Sequence, residues 1–161
     1  LSFYLRGASF TDMAYLTKAN IRRGRVEFRR RKTKKAYSIL LIEEALKIIE
    51  LYEKDERSYL LPVLRDNILE DSIIAKRRIH QWIKTTNKYL KRISDSLGID
   101  SVLTTYVARH TWATTAKRMG YSNEIIAEAL GHEYGNKVTG IYLDDFDQEV
   151  IDQVNEKVTR L

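Results

Sequence analysis

The chain has 161 residues, 43% of them hydrophobic and 31% charged, which suits one domain with a real core. It has no cysteine, so a disulfide framework, a thiolate metal site and a cysteine nucleophile are excluded, and its three histidines, His80, His110 and His132, are too far apart for helical metal-ligand spacing. A net charge of +6 favours an anionic partner, nucleic acid foremost, while no apolar run reaches the roughly 20 residues needed to span a bilayer and no signal peptide is visible.

Residues 1–18 carry Phe3, Leu5, Phe10, Met13, Ala14 and Leu16 at helical spacing, with Thr11 and Asp12 positioned to start a second helix. The chain opens on Leu1 inside that expected helix, without an initiator Met, and is expected to be a piece of a longer protein. After Gly24, RVEFRR alternates Val26 and Phe28 with polar residues, RKTKK forms a basic turn, and AYSILL resumes β-formers. This pattern predicts a hairpin with a basic tip; the bland reading is a solvated loop between helices.

Residues 42–54 predict a helix with Ala45, Leu46, Ile49 and Tyr52 inward, and YLLPV at 59–63 an extended link around the only proline. Residues 68–94 read as one long helix or two, ended by Gly98. Ile73, Ile74, Trp82, Ile83, Tyr89, Leu90 and Ile93 supply an apolar face. The basic stripe from Lys76 to Arg92 either tracks a DNA backbone or is a solvated face. Helices are also expected over 104–119 and, after Ser122 or Asn123, up to Gly131. Loop 133–140 contains two glycines, and Ile141-Tyr142-Leu143 follows. Residues 146–161 predict a terminal helix with Val150, Ile151, Val154 and Val158 on one stripe, which packs either in cis or on a neighbouring protomer. The expected fold class is α+β, mostly helical, with a small antiparallel sheet.

The chemistry concentrates in the last third: ARHTWATTAKRMG, then LGH, then GIYLDDFD. Arg109 opens a helix, His132 follows one helix later, and Tyr142 lies ten residues beyond His132. Arginines suit a phosphodiester because a guanidinium donates paired hydrogen bonds to its oxygens and offsets charge in the transition state. A phenol that forms a phosphodiester with DNA retains the bond energy for rejoining. A lysine can protonate the leaving oxygen.

This combination resembles the tyrosine recombinase (phage integrase) family, whose signature is an Arg-His-Thr helix, a Leu-Gly-His turn and a downstream tyrosine. The resemblance covers nearly the whole chain, because the start and the Lys-Thr hairpin fit in order. It implies an integrase-type catalytic domain over residues 1–161, with the core-binding and arm-binding domains of such proteins outside the sequence. It implies Tyr142 as nucleophile, Arg109 as the family's second arginine, His132 as a phosphate or leaving-group contact, and Lys32 as general acid, with Lys34 and Lys35 as alternatives. His110 matches a mainly structural position, with phosphate contact as its other reading.

Two positions depart from the pattern. Tyr106 stands where the family usually has a histidine, and can at best contact the phosphate. Ser9 stands where the first arginine should be. Integrases of Bacteroidetes mobile elements are similar in carrying a serine there. Arg6, one helical turn earlier, is the expected replacement, with Arg22 or Arg23 as alternatives.

The resemblance implies metal-independent, cofactor-free cleavage and rejoining of double-stranded DNA through a 3′-phosphotyrosyl intermediate. It further implies a homotetramer on two duplexes, an accessory DNA-bending partner, and a bacterial cytoplasmic, nucleoid-associated setting. Rival readings are a non-catalytic DNA-binding module, a type IB topoisomerase-like nicking enzyme and a structural helical protein. The binding module gives no reason for Tyr142 behind Leu-Gly-His, and the topoisomerase-like enzyme uses the same phosphotyrosine chemistry without partner exchange.

Overall fold

The structure is a computed structural model that describes residues 1–52, 57–132 and 146–160. Residues 1–7 are turns rather than the expected helix: Leu5 N–H bonds Leu1 O at 3.0 Å, and Arg6 and Gly7 both take left-handed backbone angles (φ 51° and 64°). The first helix, α1 (Phe10–Ala14), starts at Ser9, not at Thr11-Asp12. Ser9 Oγ accepts from Asp12 N–H at 3.0 Å and so caps the helix.

The chain then forms a three-stranded antiparallel sheet, β1 (Ile21–Arg22), β2 (Arg25–Arg29) and β3 (Ala36–Leu40), in the order β1-β2-β3. Val26 pairs with Ile39 and Phe28 with Tyr37, so the period-2 side chains of both strands meet on one face. Phe28 and Tyr37 stack at 5.1 Å. That face packs on Leu5, Met13, Leu16, Ala45 and Ile49 to make the first core cluster. The hairpin and its basic tip lie where the alternation put them; β1 adds a third strand that the alternation does not predict.

Helix α2 spans Glu43–Tyr52 and buries Ala45 and Ile49, while Leu46 and Tyr52 stay exposed. Residues 57–64 run back along the exit of α1: Lys18 N–H bonds Ser58 O, and Leu60 N–H bonds Leu16 O. Helix α3 is a single element, Ile73–Ser96, capped by Ser72. It buries Ala75 and Ile79 against Tyr15, Tyr59, Val63 and Leu64, with Trp82 and Ile83 alongside. Ile73, Ile74, Tyr89 and Ile93 of its expected apolar face are exposed.

Helices α4 (Val107–Arg118), α5 (Asn123–Ala129) and α6 (Gln148–Thr159) form the third cluster around Trp112, which is fully buried. The indole N–H donates to Asn155 Oδ1 at 2.9 Å, and Asn155 Nδ2 donates to Tyr4 O at 3.0 Å, so the buried polar atoms are paired. Ile151, Val154 and Val158 of the expected α6 stripe pack here, in cis, while Val150 stays exposed. Arg25 clamps Asp152 with two hydrogen bonds, 2.7 and 3.1 Å, tying β2 to α6. The architecture is mostly helical with one small sheet, as the sequence predicts, and no helix among the described residues is long and apolar enough to cross a membrane.

Candidate functional site

The Leu-Gly-His triplet ends α5 in a Schellman turn. His132 N–H bonds Ala127 O at 2.8 Å, Gly131 N–H bonds Glu128 O at 2.9 Å, and Gly131 is left-handed (φ 57°). The turn sets the imidazole against the Arg109 guanidinium. A side chain at Gly131 would collide with Tyr37, whose Cε2 would lie 2.6 Å from a built Cβ, and would crowd Arg30 Cδ at 3.2 Å. Glycine is therefore required by conformation and by space.

Arg109 lies in the first turn of α4 and is 3% exposed. Its guanidinium donates to Gly7 O at 3.0 Å and to Leu130 O, and meets His132 Nε2 at 3.0 Å. Because arginine only donates, Nε2 accepts, and the proton of the neutral ring sits on Nδ1. Gly7 permits this approach: a Cβ there would lie 2.6 Å from Arg109 Cα.

A second buried arginine reaches the same carbonyl. Arg30, 7% exposed, donates to Leu130 O at 3.0 Å and to Gly131 O at 3.4 Å. Its Nε, 3.6 Å from Asp12 Oδ2, has no hydrogen-bond acceptor among the described residues. Asp12 is itself buried and accepts Ser9 Oγ at 2.7 Å and the Arg31 N–H at 2.9 Å, so it ties α1 to the hairpin tip. The His132 imidazole is held below its ordinary pKa, first by desolvation and then by Arg109, Arg30 and Lys32.

Around these groups opens a trough of about 680 Å³, lined by Ser9, Arg30, Lys32, Lys34, Tyr106 and His132, with Lys76 and His80 of α3 on its far wall. Lys32 is exposed at the hairpin tip. Lys34 shares the trough, whereas Lys35 turns away to pair with Glu128. Tyr106 is half exposed and holds His110 edge-on at 4.8 Å. His110 is exposed rather than buried and does not line the trough. Tyr142 and the loop 133–140 lie outside the described residues.

The sequence of residues 5–149 matches the phage integrase family model, most of the chain. The chain belongs to the phage integrase family. Its fold is similar to that of a solved protein described as XerA recombinase, with a TM-score of 0.56 at 18% identity. The likeness covers 99% of this chain and 56% of that one, so the chain spans about half the length of XerA recombinase. No curated protein sequence matches it.

Against the integrase pattern, Ser9 is committed to capping α1 and to Asp12, and brings no positive charge. Arg6, the expected replacement, is not brought to His132. It precedes α1 in a left-handed turn instead of riding one helical turn back, and its guanidinium lies over the Tyr37 ring and donates to Ser38 O at 2.8 Å. Burial lowers its pKa to about 10. It lines a separate small recess with Ser38, Glu128 and Gln148. Arg22 and Arg23 are exposed at the β1–β2 turn, outside the trough. Arg30 is the arginine beside Arg109 and His132, and the sequence reading passed over it. A signal was present: extending the alternation Val26, Phe28 by two places puts Arg30 on the inward face, where an arginine is rarely found without a purpose.

Proposed function

We propose that the chain is the DNA-cleaving and DNA-rejoining domain of a site-specific tyrosine recombinase, with Tyr142 as nucleophile. The observation that carries this reading is the convergence of Arg30 and Arg109 on the Leu130 carbonyl, with His132 held against the Arg109 guanidinium, at the edge of a trough that Lys32 also lines. Two guanidiniums and an imidazole held this close together suit a single phosphodiester, whose nonbridging oxygens gather negative charge as attack proceeds.

In this reading Arg30 and Arg109 neutralise the scissile phosphate and the Nδ1–H of His132 donates to it. The Tyr142 hydroxyl releases its proton to solvent as its oxygen attacks phosphorus, the bond to the 5′ oxygen breaks, and the Lys32 ammonium gives that oxygen its proton. The 3′-phosphotyrosyl link then receives the 5′ hydroxyl of a partner strand by the reverse path. The protein's own cations fill the part a metal ion plays in other phosphoryl transfers, so cleavage is expected to persist in a chelator. The full assembly, a homotetramer on two duplexes with a DNA-bending partner, needs the remainder of a longer recombinase.

Covalent trapping tests the reading. On a nicked duplex whose short 5′ fragment diffuses away after cleavage, the wild-type protein is expected to give a DNA-shifted band on a denaturing gel, and Tyr142→Phe none. DNA binding without a covalent species from either would leave a DNA-binding module and return Tyr142 to ordinary packing.

A further inference from the structure

On the same trough that His132 lines, the hairpin tip meets the segment that leads into α3. The Arg31 guanidinium lies over the Tyr15 ring, 3.7 Å from its centroid, and the Arg31 backbone N–H is held by Asp12. That guanidinium donates to the Asp71 carboxylate and faces Glu70 at 4.0 Å. Asp71 is a non-glycine residue in the left-handed region (φ 60°), and its side chain is 65% exposed. Lys34 and Lys76 line the same trough. Asp71 is held below the ordinary carboxylate range first by the hydrogen bond from Arg31, then by the charges of Arg31, Lys76 and Lys34. One exposed carboxylate thus pairs with Arg31 on a trough wall that it shares with Lys34 and Lys76.

A carboxylate and a phosphodiester are both monoanions that accept hydrogen bonds from a guanidinium. We propose that Arg31, Lys34 and Lys76 form a second phosphate site, for a DNA backbone phosphate flanking the scissile one, and that Asp71 occupies it as an internal competitor until DNA displaces it. The site rests on the DNA-cleaving reading above. Two features favour an exchangeable partner over a structural bridge. The Arg31–Asp71 pair is exposed, so its desolvation adds little and an incoming anion can replace the carboxylate. Arg31 is fixed by Tyr15 and Asp12 independently of Asp71, so the cation stays in place when the carboxylate leaves.

The experiment is fluorescence anisotropy of a short labelled duplex across a salt series. Asp71→Asn is expected to tighten binding by about two- to fivefold, the scale of an exposed ion pair. Asparagine suits the left-handed backbone, so the fold is retained. Asp100→Asn, the same charge change in the loop beyond α3, is expected to do less. Arg31→Gln is expected to weaken binding and to abolish the gain from Asp71→Asn in the double variant. Lys76→Gln, on the exposed face of α3 and clear of the Tyr15 stack, is expected to lower the salt slope by about 0.9. Equal gains from Asp71→Asn and Asp100→Asn, or an Asp71→Asn gain that survives Arg31→Gln or Lys76→Gln, would overturn the site. A wild-type protein that binds no duplex at any salt sinks the recombinase reading with it; binding without a gain from Asp71→Asn sinks this site alone.

Discussion

At the scale of single residues, the question is which arginine completes the phosphate grip. Arg30 and Arg109 donate to the same Leu130 carbonyl, while Arg6 donates to Ser38 O of β3. The two candidates therefore separate by assay. Arg30→Ala is expected to lower the rate of covalent-complex formation by about a hundredfold or more, the usual loss of a transition-state charge contact, with only a several-fold change in DNA affinity. Arg6→Ala is expected to lower the melting temperature and leave the cleavage rate of the folded fraction within several-fold of wild type, because its guanidinium stacks on Tyr37 and bonds β3 instead of the trough. A cleavage defect as deep in Arg6→Ala as in Arg30→Ala would return Arg6 to the site.

At the scale of elements, the site depends on how helices end and how a hairpin turns. The Schellman turn at Gly131 aims His132, and the left-handed Gly7 lets Arg109 come within contact of the chain's first turn. Gly131→Ala is expected to cost about 1–2 kcal/mol in urea unfolding from the left-handed backbone alone. Displacement of Tyr37 and Arg30 adds to that loss, and cleavage should fall further than stability predicts, since Arg30 belongs to the proposed phosphate grip. Unchanged cleavage in Gly131→Ala would separate the turn from the catalytic geometry. The hairpin tip divides its lysines by the same geometry: Lys32 and Lys34 face the trough, while Lys35 pairs with Glu128.

At the scale of the whole molecule, α6 closes the third core cluster. Ile151, Val154 and Val158 are buried on Trp112, and Arg25–Asp152 and Trp112–Asn155 fix the helix to β2 and α4. An element packed this way acts on stability. Ile151→Ala is expected to cost about 2–5 kcal/mol, measured by urea denaturation, with no change in molecular mass by light scattering. A loss of mass without a loss of stability would instead mean that the stripe holds two protomers together.

Much of this was determined by the sequence alone. The period-2 run placed β2 and β3, Gly98 marked the end of α3, the Ser122 cap and Gly131 bounded α5, and the order of Arg109, His132 and Tyr142 pointed to the family. These signals are local: backbone periodicity, capping chemistry and motif spacing act over a few residues. What the tertiary structure alone decided is long-range. Arg30 and His132 are 102 positions apart and meet only because α5 ends against the sheet; Arg6 fails to join them because a left-handed turn, not a helix, carries it. Helical spacing misread α3 as well, since exposed Ile73 and Ile74 satisfy the pattern as readily as buried Ala75 and Ile79. Periodicity reports which residues share a face, whereas burial depends on what the rest of the chain brings to that face.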